Sequence, residues 1–344
     1  MLSDDLVVNN QKIIITSPGL SGSSNQCKMR VSELINNTGK TAFSFELLPP
    51  LKGNSIQQVY NAIDRLKEFD PKYINITTHH SESIYKEDEN GTYRKVNVRR
   101  RPGSVAIAAA IQNKYGIRAV PHIISQGFSR EETEYALIDL SFLGVTDLLL
   151  LRGDTKKLDA EQRKMDCHQH ATGLQEQVNN FNEGITFDGS SFTPPEEPFS
   201  YGMACYPEKH EESPNMESEI YYTKMKVDNG AEYLVTQMFF DNSKYFDFVK
   251  RCREVGINVP IVPGIKPIHL KNQLTALPRI FRSDIPEELA VALRKCKDDD
   301  EAKEVGVEWC ITQCKELIRN QVPSIHFYSL MATESVRRVA KEIY

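Results

Sequence analysis

Short apolar runs alternate with longer segments of helical period from residue 42 to the end of the chain, and this alternation constrains the fold more than any other feature. It is typical of α/β proteins whose parallel strands are joined by helices. The predicted strands are residues 42–47, 73–77, 118–123, 147–151, 200–205, 233–237, 259–262 and 324–328. Eight strands, each followed by a helix, close most naturally as a (β/α)8 TIM barrel, and we predict a single barrel domain.

The predicted helices are residues 55–69, 103–115, 130–143, 171–181, 218–229, 243–255, 270–281, 286–295, 299–320 and 333–342. A doubly wound open sheet is the alternative, but its first strand normally leads into a glycine-rich turn. Here that turn reads Leu48-Pro49-Pro50, and the sequence contains no GxGxxG or Walker A loop. Two connections, 81–101 and 155–198, exceed the usual length, and we expect lids or disordered excursions there.

The first 38 residues form a leader rich in Ser, Asn and Gly, for which we expect poor order through about residue 28. Met29 opens a stretch that reads as a second plausible start of translation. The barrel domain is predicted to span residues 39–344.

Composition argues against several classes of function. A formal net charge of −5 provides no broad positive field for nucleic acid or anionic lipid. The sequence has neither a secretory signal nor an apolar run of the roughly 20 residues that span a bilayer, so we expect a cytoplasmic protein. Seven cysteines without a CxxC pair indicate neither a disulfide framework nor a zinc ribbon. Cys167, His168 and His170 lack a nearby fourth ligand, and no metal is expected.

Polar residues close almost every predicted strand, and in a β/α barrel the chemistry lies at the carboxyl ends of the strands. These residues are Glu46, Thr77, His122, Arg152-Gly153-Asp154, Tyr206 with Glu208 and His210, and Gln237. We expect them to converge on one rim of the barrel.

Two carboxylates on this rim are the sharpest candidates. Glu46 interrupts an apolar strand, where burial raises a carboxyl pKa toward the range of a general acid. The alternative is a structural carboxylate paired with Lys or Arg inside the barrel. Asp154 follows a leucine-rich strand and Gly153, which lets the backbone approach a planar or phosphorylated ligand closely. A buried strand is the wrong setting for an Arg-Gly-Asp adhesion loop.

A set of motifs, taken in order along the chain, resembles the sequences of methylenetetrahydrofolate reductases. The segments that carry the resemblance are 45–50 (FELLPP), 121–122 (PH), 151–154 (LRGD), 206–210 (YPEKH), 226–231 (KVDNGA), 236–241 (TQMFFD), 263–264 (PG) and 326–328 (HFY). The resemblance runs from about residue 41 to 344 and matches the bacterial type, which has the catalytic domain only. Inhibition through a C-terminal adenosylmethionine-binding module is therefore not expected.

The resemblance implies an FAD enzyme that takes hydride from NADH or NADPH and, by a ping-pong mechanism, reduces 5,10-methylenetetrahydrofolate to 5-methyltetrahydrofolate for methionine synthesis. It implies that Glu46 is the general acid toward folate, that Asp154 lies near flavin and pterin, and that Gln237 orients both substrates in turn. Gln273 is implied as a further folate contact and Thr77 as a nicotinamide contact. A homo-oligomer is expected.

The resemblance also implies a set of flavin-binding residues: Thr78, His80, His122, Arg152, Gly153, Asp154, Ala171, Tyr206, His210, Glu219 and Lys226. The chain departs from the family pattern at Thr78-His79-His80, where a turn of small residues is usual, and at Leu277, where an aromatic residue is common. It departs again at Met331-Ala332. Two rival functions remain open: a metal-dependent barrel hydrolase, and a barrel that only binds folate or flavin.

Overall fold

A computed structural model of the chain describes residues 29–36, 39–154, 158, 162, 165–330 and 332–344. The strands in these ranges are β1 (Ala42–Leu47), β2 (Tyr73–Ile76), β3 (Glu82–Glu87), β4 (Tyr93–Val98), β5 (Arg118–Ile124), β6 (Asp147–Leu151), β7 (Ser200–Cys205), β8 (Tyr233–Thr236), β9 (Ile261–Val262), β10 (Gly264–Ile265) and β11 (Ser324–Phe327). The helices are α1 (Val31–Asn36), α2 (Gln57–Leu66), α3 (Ser104–Tyr115), α4 (Arg130–Phe142), α5 (Ala171–Asn182), α6 (Met216–Asp228), α7 (Asn242–Glu254), α8 (Gln273–Phe281), α9 (Glu287–Lys295), α10 (Asp299–Arg319) and α11 (Thr333–Ile343).

All the strands except β3 and β4 form one parallel sheet in the order β10-β11-β1-β2-β5-β6-β7-β8-β9. Short β9 and β10 share one barrel position that Pro263 divides: β9 pairs with β8, and β10 pairs with β11. Proline cannot donate to the ladder, but its carbonyl accepts from the His326 N–H at 3.0 Å. The sheet therefore closes around eight strand positions in the described chain, which confirms the predicted (β/α)8 barrel.

Alternation along each strand separates two apolar layers. On β1, Phe43, Phe45 and Leu47 pack outward into the main core, which the surrounding helices cover. A second cluster inside the barrel includes Tyr73 and Tyr233. Because successive side chains point to opposite faces of a strand, the residues between the outward ones, Ser44 and Glu46 on β1, face the barrel interior.

Helix α1 closes the amino-terminal end of the barrel. Val31 and Ile35 are buried in the interior cluster, and the Val31 N–H donates to the Asp147 carboxylate at 3.0 Å. Arg30 adds an ion pair with Glu232 at 2.6 Å. Sequence analysis had placed this segment in the leader, yet its apolar side chains pack against the strands. The expectation of poor order before residue 28 lies outside the described residues.

We expect Ile35→Ala to lower the free energy of unfolding by about 2–5 kcal/mol, because truncating a fully packed side chain leaves a cavity. Urea denaturation followed by circular dichroism measures this loss. Asn36→Ala on the exposed side of the same helix is the matched control and should change stability by less than about 0.5 kcal/mol. Equal, small effects of both substitutions would show that α1 does not stabilise the barrel.

The connection at 81–101 is not a disordered excursion, because β3 and β4 form an antiparallel hairpin there. The two strands pair from Glu82 with Val98 to Glu87 with Tyr93. The turn between them contains Asn90-Gly91, a strong hairpin signal, and Gly91 has a φ of +75° that favours glycine. Both strands are mostly exposed, so tertiary burial contributes little to the hairpin.

The second long connection, 155–198, is described only in part. Helix α5 lies within it, close to the predicted 171–181, and an isolated bridge joins Ile185 to Ser191. No helix in the described ranges combines the length and apolar character needed to cross a membrane.

Candidate active site

Glu46 lies inside the barrel near the carboxyl ends of the strands. Its side chain is 6% exposed, and its backbone pairs in register with Asn75 of β2. The Ser329 hydroxyl donates to the Glu46 carbonyl at 2.5 Å, which ties β1 to the turn after β11. Removal from water raises the pKa of the Glu46 carboxyl to about 7, although nearby Lys266 opposes this shift.

Two further side chains lie beside this carboxyl. His122 of β5 places its Nε2 3.9 Å from the Glu46 carboxylate, and burial lowers the pKa of this imidazole to about 3. Lys266 follows β10, is 4% exposed, and donates from Nζ to the Tyr328 carbonyl at 3.3 Å. Burial keeps His122 uncharged at neutral pH, and Lys266 is the basic group whose charge lowers the pKa of Glu46.

The end of β6 supplies Arg152, Gly153 and Asp154. Gly153 has a φ of +89°, and a Cβ there would lie 3.2 Å from the Ile124 side chain, so the close turn requires glycine. Arg152 donates from Nη1 to Glu212 at 2.5 Å. Asp154 lies exposed on the rim, in contrast to buried Glu46. The two predicted carboxylates therefore occupy different environments.

The end of β7 leads into a loop that carries Tyr206 and His210. Their rings meet edge to face at a centroid distance of 4.8 Å. Buried Glu219 of α6 accepts from the His210 N–H at 3.0 Å and from the Ser213 hydroxyl at 2.7 Å. Glu219 thus holds this loop in place. Lys226 of α6 donates from Nζ to the Ala204 carbonyl at 2.8 Å.

Thr77, Thr78 and His80 follow β2, and each makes a hydrogen bond at the rim. The Thr78 hydroxyl donates to the His122 carbonyl at 2.5 Å, and Thr77 Oγ1 lies 3.2 Å from His79 Nε2. His80 bonds through Nδ1 to the Ser81 carbonyl at 2.8 Å. Hydrogen bonds to β5 and to a neighbouring residue of the loop thus hold Thr78 and His80 in place.

The side chains of Gln237 and Gln273 bond to backbone N–H groups close to them in sequence, and Ala171 begins a helix. Gln237 accepts on its side-chain oxygen from the neighbouring Met238 N–H at 3.0 Å. Buried Gln273 accepts from the His269 and Leu270 N–H groups, so its oxygen caps the turn before α8. Ala171 is the first residue of α5.

Sequence reasoning missed Lys266 and Asn75. Lys266 directly follows the seventh strand position, so the strand-end rule that selected Glu46 could have found it. Asn75 lies on the inward face of β2, and neither polar atom of its side chain has a hydrogen-bond partner among the described residues. Its burial depends on the closed barrel, which the local pattern does not show.

The donor set fits an anionic dinucleotide. Arg152, His210 and Lys226 bring cationic or hydrogen-bonding groups to adjacent strand ends, and Gly153 allows close approach of the backbone. The buried Nε2 of His122 has no hydrogen-bond partner within the described part of the chain, so a polar ligand atom can satisfy it. In the same ranges, no group of three or more His, Cys, Asp or Glu residues could hold a metal ion.

A closed β/α barrel with a buried acid and a convergent polar rim at the carboxyl ends of its strands defines the class of β/α-barrel enzymes. Within that class, the model of the methylenetetrahydrofolate reductase family matches residues 30–344. The chain therefore belongs to this family, which confirms the resemblance found in the sequence.

Individual relatives agree. A probable methylenetetrahydrofolate reductase (NADPH) of Caenorhabditis elegans is 28% identical over 351 residues, covering 99% of this chain and 48% of the relative. The 5,10-methylenetetrahydrofolate reductase of Escherichia coli is 28% identical over 297 residues, covering 86% and 88%. The chain thus spans about half the length of its eukaryotic relative and most of its bacterial one.

A solved structure shows the same fold. It is described as an uncharacterised protein from Clostridium thermocellum that binds two copies of 5-methyl-5,6,7,8-tetrahydrofolic acid. The TM-score is 0.54 at 14% identity, and the match covers 92% of this chain and 98% of that one. At this identity the likeness concerns the fold alone.

Proposed function

We propose that the protein reduces 5,10-methylenetetrahydrofolate to 5-methyltetrahydrofolate with FAD and with NADH or NADPH, by a ping-pong mechanism. Family membership supports the reaction, and the Glu46 carboxyl is the observation that carries it. An acid whose pKa lies near 7 is protonated in a large fraction of molecules at neutral pH and transfers its proton readily. A surface glutamate would be ionised and unable to donate.

Glu46 protonates the folate amine nitrogen whose bond to the methylene carbon breaks when the five-membered ring opens. The proton comes from the carboxyl, and the electron pair of the broken bond stays on that nitrogen. The carboxylate left behind lies near Lys266, which offsets part of the cost of a buried negative charge. The barrel interior thus supports both protonation states of Glu46.

Bound FAD would supply the hydride chemistry, accepting hydride from the nicotinamide and passing it to folate. Its anionic part would be held by Arg152, His210 and Lys226, and the backbone at Gly153 would allow close contact. The proposed set of flavin-binding residues is completed by Thr78, His80, His122, Asp154, Ala171, Tyr206 and Glu219. Glu219 acts by bracing the loop that carries His210.

Substrate contacts are proposed for the remaining rim residues. Asp154 would lie near flavin and pterin, where its negative charge disfavours negative charge on the reduced flavin. Thr77 contacts nicotinamide, Gln237 orients each substrate in turn, and Gln273 contacts folate through its amide nitrogen while its oxygen caps the backbone.

The protein is proposed to act in the cytoplasm as a homo-oligomer. An exposed apolar stripe on α4 supports self-association: Tyr135, Ile138 and Phe142 recur at helical spacing, and Phe142 is 91% exposed.

The colour and the redox cycle of the purified protein test the proposed function. We expect a yellow protein whose bound FAD is bleached anaerobically by NADH or NADPH and restored by methylenetetrahydrofolate. Absorbance near the flavin maximum follows both half-reactions. A protein that stays colourless and fails to take up added FAD would contradict the proposal. Bleaching without restoration by folate would identify a barrel that binds flavin but does not reduce this substrate.

A further inference from the structure

Lys266 occupies an unusual position for a lysine, because it lies inside the barrel. Ile265 packs outward into the main core, so strand alternation turns Gly264 and Lys266 inward. Lys266 is 4% exposed, and its ammonium donates to the Tyr328 carbonyl at 3.3 Å. A buried ammonium group is costly unless it is compensated by an opposite charge.

The ring of Tyr328 fixes the wall beside this lysine. A Cβ on Gly264 would come within 2.4 Å of the Tyr328 ring, so glycine alone leaves room for it. The Tyr328 hydroxyl donates past Gly264 to the Thr236 carbonyl at 2.6 Å. The Tyr328 residue, whose carbonyl accepts from the Lys266 ammonium, is therefore held by its ring and also by its backbone N–H, which donates to the Ile265 carbonyl at 2.9 Å.

Glu46 lies at the same level of the barrel as Lys266, because Ile265 pairs with Phe327 and Phe327 pairs with Phe45, the residue before Glu46. Burial lowers the pKa of Lys266 and Glu46 raises it, while Lys266 lowers the pKa of Glu46 against the effect of burial. The other titratable groups around this pair include His122 of β5, which burial keeps neutral, and Tyr328 directly after β11, whose pKa burial raises. His269, on the segment after Lys266, has a pKa lowered by burial and by Lys266.

We propose that Lys266 is a positioning residue for the folate half-reaction, which sets the acidity of Glu46 by holding a fixed positive charge beside it inside the barrel. This inference rests on the proposed function. Lys266 makes Glu46 a stronger acid than burial alone would allow and stabilises the carboxylate that remains after proton transfer. No role in the transfer of hydride from the nicotinamide is assigned to it.

The test is the pH dependence of the two half-reactions in Lys266→Met. Folate reduction requires protonated Glu46, so its rate falls as pH rises through the Glu46 pKa. Because an opposite charge at close range lowers a carboxyl pKa by about 1–3 units, removing Lys266 should move this alkaline limb upward by about 1 unit. Reduction of flavin by the nicotinamide should keep its wild-type pH profile.

Three further variants complete the test. Lys266→Gln is a second neutral substitution should the methionine variant fail to fold. Lys266→Arg keeps the charge and should keep the limb within about 0.3 units of wild type. Lys297→Met makes the same chemical change on an exposed side chain and should leave the profile unchanged. An unmoved limb in both neutral variants would overturn the inference.

An infrared titration separates this inference from the proposed function. The carboxyl band of Glu46, assigned by its loss in Glu46→Gln, reports the pKa of Glu46 in the purified protein without any turnover. We expect a higher midpoint in Lys266→Met than in wild type. Equal midpoints would reject the role of Lys266 even if folate is reduced, and a raised midpoint would support it even if folate is not the substrate.

Discussion

Glu46→Gln should lower the rate of folate reduction by about 10²- to 10⁴-fold and leave reduction of the bound flavin by the nicotinamide within a few fold of wild type. Glutamine keeps the size of the side chain and its ability to hydrogen-bond but cannot give up a proton to the folate amine. Anaerobic stopped-flow absorbance measures each half-reaction separately. Comparable losses in both would contradict the assignment of Glu46 to folate alone.

Glu208→Gln is the matched control for this substitution. Burial also raises the pKa of Glu208 to about 7, but this side chain lies in the loop after β7 and accepts from the Asp284 N–H at 3.2 Å. It lines a separate cleft with Lys244 and Asp247. Among the described residues, burial raises the carboxyl pKa of Glu46, Glu208 and Asp147, and of these three only Glu46 lies inside the barrel at the carboxyl ends of the strands. We expect less than a tenfold loss in either half-reaction for the control.

Arg118→Met should lower the free energy of unfolding by about 3–5 kcal/mol, the second large effect that we expect. Arg118 and Asp147 form an ion pair at the amino-terminal end of the barrel, and both side chains are almost fully buried. Arg118 also donates to the Thr146 hydroxyl at 3.1 Å. Removing the arginine leaves the Asp147 carboxylate buried, with the Val31 N–H as its remaining donor among the described residues.

A double-mutant cycle separates loss of the pair from loss of packing. Arg118→Met combined with Asp147→Leu removes both charges, and we expect it to recover at least about half of the stability that Arg118→Met loses. Urea denaturation of the four proteins provides the coupling energy. If Arg118→Met costs less than about 1 kcal/mol, or if the two substitutions are additive, the ion pair does not hold this end of the barrel together.

The strands were predictable because each is a short apolar run whose bounds depend on local pattern. Seven of the eight predicted strands match the structure to within one residue at each end. The seventh was predicted as continuous over 259–262, but the structure starts it at Ile261 and divides it at Pro263. Pairing on both sides of a proline depends on closure of the barrel, which a local pattern cannot show.

The β3–β4 hairpin and helix α1 were not predicted, for two different reasons. The β3–β4 hairpin carried a readable signal, Asn90-Gly91, within a segment interpreted only by its length. Helix α1 has six residues, too few to show a convincing helical period. Its stability comes from packing of Val31 and Ile35 against the barrel interior.

The candidate site was predictable residue by residue but not as an arrangement. A carboxylate within an apolar strand identified Glu46, and the family pattern identified the rim. The neighbourhood of Glu46 brings together strands far apart in sequence: His122 comes from β5, and Lys266 follows β10. Register between strands decides these contacts, so the balance of burial and charge at Glu46 required the three-dimensional structure.

The central claim is that Glu46 delivers a proton to folate inside the barrel, and the most direct test is the pH dependence of single-turnover reoxidation of the reduced protein by methylenetetrahydrofolate. In the wild-type protein, the rate constant should fall as pH rises, with an inflection near 7 that disappears in Glu46→Gln. A persistent inflection in Glu46→Gln, or a pH-independent rate in the wild type between about pH 6 and 9, would contradict the assignment.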